Sequence, residues 1–207
     1  MQKDFLAELL RDTVRTRVLR LFIASGDVAQ TLDDVRAKTQ TTNRAKIATE
    51  LKELTELGIL KVALEEMSVD CATEKKETSV QRWILDREHP YAQALRLFVR
   101  DTQVPIDDDV VTQLRRAGKL RLLIVAGGFS DTEQSQGRID LLIVGESLHE
   151  DKIQLVLRDI EAQRGRELQY AIFSPKEFKY RLDVQDRLIR DVLDYPHHVL
   201  LDKLNML

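Results

Sequence analysis

One cysteine in 207 residues, Cys71, excludes an internal disulfide framework and fits a reducing, cytoplasmic setting. No apolar run approaches the roughly 20 residues that a membrane-spanning helix requires, and the N-terminus lacks the apolar core of a signal peptide. A large excess of one charge is also missing. With a net charge of −3, any binding to nucleic acid must come from a local patch. Internal repeats and low-complexity tracts are absent. Histidine is sparse and poorly arranged for metal: His197 and His198 adjoin, so on a strand they face opposite ways, and Cys71 has no histidine near it. What is present, 43% hydrophobic and 32% charged residues, suits a soluble protein of one large domain or two small ones.

Two apolar runs stand out, Leu120 to Ala126 and Ile139 to Val144, flanking a loop rich in Gly, Ser, Asp and Gln. Runs of that length between turn residues predict strands buried on both faces, the centre of a sheet. Downstream, Ile153, Val156, Leu157 and Ile160 predict an amphipathic helix, and Leu168, Tyr170 and Ile172 alternate as a strand. Ser174-Pro175-Lys176-Glu177 opens another helix, with a cap, proline at the first position and an acid at the third. Leu188, Ile189, Val192 and Leu193 mark a last helix, and His198 to Leu201 a short final strand.

The first half reads differently. Residues 1–25 predict a helix carrying Val14, Val18, Leu21 and Phe22, ended by Gly26. Arg11, Arg15, Arg17 and Arg20 have the spacing of a solvent face on it. Thr31-Leu32-Asp33-Asp34 is a capping box, the polar stretch Thr39 to Asn43 a turn, and Ile47, Leu51, Leu54 and Leu57 one face of a third helix closed by Gly58. Ile59 to Leu64 and Val80 to Leu85 predict two strands joined by a long charged loop, with Trp83 packing the second onto the core. Pro90 starts a linker helix with Tyr91, Ala94, Leu95, Phe98 and Val99 as its apolar stripe, and Val110, Val111 and Leu114 mark another that Gly118 ends.

The order helix, helix, turn, helix, hairpin over residues 10–87, with the junction ELTELGILKV, resembles a winged helix-turn-helix of the ArsR type. The stretch from Lys119 to Gly145 resembles a minimal DNA polymerase β-type nucleotidyltransferase. Gly128 and Ser130 match its Gly-Ser turn, after Gly127, and Ile139-Asp140-Leu141-Leu142 matches its Asp-x-Asp strand. The first acidic position is Arg138, and Glu167 or Gln169 stands where the third carboxylate belongs. Nucleotidyl transfer needs two divalent ions about 3.5–4 Å apart, held by carboxylates. A set of one aspartate, an amide and an arginine does not hold them, so the resemblance implies a degenerate domain that has lost its metals. With GGFS, IDLLIVGE and SPKEFKYR included, nearly the whole chain resembles a group of small prokaryotic transcriptional regulators pairing these two folds.

The expectation is therefore an α+β chain: a winged helix-turn-helix at 1–88, a helical linker at 89–118 and a nucleotidyltransferase-like α/β domain with a mixed sheet at 119–207. The expected function is DNA-binding transcriptional regulation without catalysis or cofactor, the second domain serving as sensor or oligomerisation module. Two other classes stay open, a metal-dependent nucleotidyltransferase acting through Asp140 and a protein-interaction scaffold. Thr41, Thr42, Asn43, Arg44, Lys46 and Thr49, with Lys75 and Lys76 in the wing loop, are the candidate DNA contacts. Gly127, Gly128, Ser130, Arg138 and Asp140 are the vestigial nucleotide site. Expected partners are double-stranded DNA, a second copy of the chain, and a nucleotide or small-molecule effector.

Overall fold

The computed structural model describes residues 4–64, 80–102, 108–126 and 139–205. The chain is α+β and divides into two compact units, Gln2–Val104 with Asp159–Arg166, and Pro105–Arg158 with Glu167–Leu207. The two linker helices thus fall in different units.

In the first unit the helix expected over residues 1–25 is two helices, α1 (Phe5–Leu10) and α2 (Thr13–Ser25). Arg11 takes a left-handed conformation and Asp12 caps the new start, its Oδ1 accepting from the Val14 and Arg15 amides at 2.9 and 3.0 Å. An aspartate before an apolar-periodic run is a start signal, and here it outweighs helix continuation. A two-residue strand β1 (Gln30–Thr31) leads into α3 (Leu32–Thr39), where Thr31 and Asp34 form the expected capping box. Next come α4 (Arg44–Glu56), β2 (Leu60–Leu64), β3 (Gln81–Leu85) and α5 (Ala92–Asp101). Strand β3 pairs antiparallel with β2 on one side and with β1 on the other. Two residues are too few for a period to reveal, so β1 has no sequence signature.

The core of this unit gathers Val18, Leu21 and Phe22 of α2, Val35 of α3, Ile47, Leu51 and Leu54 of α4, and Leu60, Trp83 and Leu85 of the hairpin. Full burial of each such side chain contributes about 1.5–3 kcal/mol. Leu57, expected on the same face, is 61% exposed because it sits at the C-cap of α4 beyond the packed stripe. The α2 arginines also depart from their expected solvent face. Arg20 is 1% exposed, and Arg15 and Arg17 are part-buried against acids and carbonyls that fold inward with them.

The second unit runs α6 (Asp108–Leu114), β4 (Lys119–Ala126), β5 (Leu141–Glu146), α7 (Glu150–Arg164), β6 (Tyr170–Phe173), α8 (Pro175–Asp183), α9 (Arg187–Leu193) and β7 (His197–Asp202). The last residues of α7, from Asp159, count with the first unit. The sheet is mixed, in order β6-β5-β4-β7, with β5 parallel to β6 and the other pairs antiparallel. The two apolar runs are its central strands, as expected. On one face Leu122, Ile124, Leu142 and Val144 pack with Phe178 of α8 and Ile189 and Val192 of α9. Leu123, Leu141 and Ile143, on the other face, are equally buried, which is why these strands show no polar alternation.

Candidate nucleic-acid interface

Helix α4 is amphipathic by position. Ile47, Leu51 and Leu54 turn inward, and Ala45, Ala48, Thr49 and Lys52 make up an outer face, all exposed, with exposed Thr42 in the turn before the helix. Asn43 starts the helix: its side-chain oxygen accepts from the Lys46 amide at 3.0 Å, so that oxygen serves the backbone while its amide N–H groups remain donors. Thr41 sits in the preceding turn, hydrogen-bonded to the Thr39 hydroxyl at 3.1 Å. The Thr49 hydroxyl donates to the Ala45 carbonyl at 3.0 Å, leaving its methyl group and lone pairs outward.

The cations divide into two kinds. Arg44 lies at the exposed N-terminal end of α4, its Nη1 2.5 Å from Asp33, with the two side chains 58% and 63% exposed. Such a pair is worth about 0–1 kcal/mol and yields readily to a stronger anion. Lys46 points the other way. Its Nζ lies 2.6 Å from both Asp12 and Glu50, and the Glu50 carboxylate is fully buried. Arg15 reaches the same carboxylate at 2.6 Å and also pairs with Glu53. The Asp12 and then the Glu50 carboxylates push the Lys46 pKa above its ordinary value, and Glu50 does the same for Arg15. Lys46 thus ties α4 to the start of α2.

The exposed surface around α4 also includes Ala45, Ala48, Lys52 and Arg36, beyond the candidate contacts named from the sequence. The first three are the complement of the core stripe, a signal available from spacing alone. Arg36, exposed on α3, forms no ion pair among the described residues. Lys52 is held loosely, 3.7 Å from Glu56 and 76% exposed. Lys75 and Lys76 lie outside the described residues, as do Gly127, Gly128, Ser130 and Arg138.

Asp140 is described and 2% exposed. Its Oδ2 accepts from the Gln169 amide at 2.9 Å, and its own amide donates to the Gln169 carbonyl at 2.6 Å. The carboxylate therefore caps the segment leading into β6, while the Glu167 and Gln169 side chains face solvent. Among the described residues no group of three His, Cys, Asp or Glu side chains is arranged to hold a metal ion, and no helix is long and apolar enough to cross a membrane. Comparison with protein-family models, curated proteins and solved structures gives no match to this chain.

Proposed function

We propose that the chain is a DNA-binding transcriptional regulator whose first unit is a winged helix-turn-helix reading double-stranded DNA with α4. The observation that carries this reading is the order α2, β1, α3, α4, β2, β3, with β1 closing on β3. That packing buries one stripe of α4 and leaves its N-terminal end and outer face open. Small side chains at Ala45, Ala48 and Thr49 let a helix sit close to base edges, where methyl groups meet thymine methyls. Asn43 and Arg44 bring donors to the end that a recognition helix directs at bases. Arg36, Arg44 and Lys52 are the phosphate partners, Arg44 exchanging its Asp33 contact for the backbone.

The second unit serves as a sensor or oligomerisation module on a nucleotidyltransferase-like fold without catalysis. Its mixed sheet supports that reading, as does an Asp140 engaged in capping. Two copies bind together, matching a two-fold site. Phe5 and Leu9 on α1, with Tyr91 and Phe98 near or on α5, are exposed apolar residues suited to that contact.

The test is fluorescence anisotropy of the full chain against its own upstream DNA and a scrambled duplex across a salt series. Each phosphate contact contributes about 0.9 to the slope of log affinity against log salt. Arg44→Ala and Lys52→Ala should each lower that slope, and the native duplex should be preferred. Feeble binding, equal for both duplexes and all variants, would sink the proposal.

A further inference from the structure

Arg17 and Arg20 stand one turn apart on α2, and both guanidiniums serve the ends of other helices. The last carbonyls of a helix lack internal donors and carry its negative dipole end, so a guanidinium is a matched partner. Arg20 clasps the Asp4 carboxylate at 2.6 and 2.9 Å, the Gln163 carbonyl near the end of α7 at 3.0 Å, and the Thr102 carbonyl after α5 at 3.1 Å. Arg17 sends Nη1 to the Thr39 carbonyl at 3.1 Å and Nη2 to Asp159 at 3.3 Å. The other Asp159 oxygen accepts from Gln163 Nε2 at 2.8 Å, so the pairing acid is itself held.

The Thr39 carbonyl lies where α3 ends. Gln40 adopts a left-handed conformation (φ 51°), its amide donating to the Ala37 carbonyl while the Thr41 amide donates to that of Arg36. This pair of bonds satisfies two of the orphan carbonyls and leaves Thr39's outside the motif. Its charged donor is Arg17, beside one long 3.4 Å contact from the Thr41 hydroxyl. Five residues after Thr39, Arg44 begins α4.

We propose that Arg17, held in place by Asp159, is a positioning residue for the turn between α3 and α4. The planar fork offers two nitrogens at fixed geometry, one to the carbonyl and one to the carboxylate, which the point charge of a lysine does not reproduce. Without Asp159 the guanidinium turns toward water, and Thr39 loses the donor that fixes where the turn begins. The consequence for DNA rests on the function proposed above; the positioning itself does not.

The experiment follows amide hydrogen exchange in the full chain, wild type against Asp159→Asn, Arg17→Lys and Asp159→Glu, with urea unfolding of each and DNA anisotropy in parallel. Loss of one charge-assisted bond should speed exchange of the Gln40 and Thr41 amides about fivefold in Asp159→Asn and Arg17→Lys. The α2 and α4 core amides should hold at wild-type rates, and Asp159→Glu should restore the turn. Unchanged exchange at the turn would overturn the proposal, as would a uniform rise across the unit that merely tracks the urea midpoint. A turn that loosens in a chain whose wild type binds no DNA would support the positioning and sink the regulator. Wild-type DNA binding with an unmoved turn would do the reverse.

Discussion

Gly165 closes α7 in a left-handed conformation (φ 75°) and lies directly on the backbone of α2. A Cβ there would fall 2.5 Å from the Arg20 carbonyl oxygen, and closer still to the Arg20 carbonyl carbon and the Leu21 nitrogen. Gly165→Ala therefore meets two costs. The left-handed backbone costs an L-residue about 1–2 kcal/mol. The collision adds about 1–3 kcal/mol as overpacking, because helix backbone cannot step aside as a flexible side chain can. Gly58→Ala is the internal control. Gly58 has nearly the same conformation (φ 74°), but its Cβ would meet only the His89 ring, at an ordinary 3.4 Å. Both glycines belong to the same unit, so the difference between the two variants isolates the steric contribution.

Trp83, the chain's single tryptophan, is buried in the core of that unit, so its fluorescence reports unfolding there. At about 4 °C per kcal/mol, Gly58→Ala should lower the melting temperature by about 4–8 °C and Gly165→Ala by about 8–20 °C. Equal shifts would rule out a backbone collision at Gly165. They would mean that the segment after α7 does not lie on α2, and the Arg20 contact with Gln163 would fall with it.

Glu50→Ala removes a buried acceptor shared by Arg15 and Lys46, which keep Glu53 and Asp12, and should cost about 1.5–3 kcal/mol, read as a lowered urea midpoint at unchanged m. In acid, Asp34 and Asp12 contribute to the slope of stability. The Thr31 hydroxyl and amide hold Asp34 below the usual carboxylate range; burial pushes Asp12 up, but Lys46 and the Arg15 and Val14 amides together outweigh it. A lowered folded pKa means the unfolded chain binds more protons, so this stabilisation is complete above the ordinary value of about 3.9 and is lost as pH falls through the folded values. Asp34→Asn should flatten that limb in urea titrations at pH 2–5. Lys46 works in the opposite direction: its raised pKa gives stability that is complete below about 10.4 and lost as pH rises through the folded value, a loss Lys46→Met should abolish. Phe98→Glu places a charge on an exposed apolar residue of α5 and should convert the proposed dimer to monomer in sedimentation velocity without lowering the melting temperature; a wild-type chain that already sediments as a monomer would refute the dimer.

These sites divide by how far apart their partners lie in the sequence. Thr31 and Asp34 are three residues apart, so the capping box was legible from the residues alone, as were Ser174 before Pro175 and the inward stripe of α4. The central strands were legible because both their faces are apolar, which leaves little else for such runs to be. The arginines of α2 were not. A positive residue every three or four positions reads as a solvated face unless its acceptors are known, and Arg20 finds them 16, 82 and 143 residues away. Burying that guanidinium without them would cost several kcal/mol, so the side chain is interior only because Asp4, Thr102 and Gln163 converge on it. The same logic separates Arg44 from Lys46. Two residues apart on one helix, they looked alike as candidate DNA contacts. What distinguishes them is a fully buried carboxylate one turn further along α4 and an aspartate capping α2, which together make the lysine part of the scaffold, whereas the arginine holds only an exposed pair with Asp33.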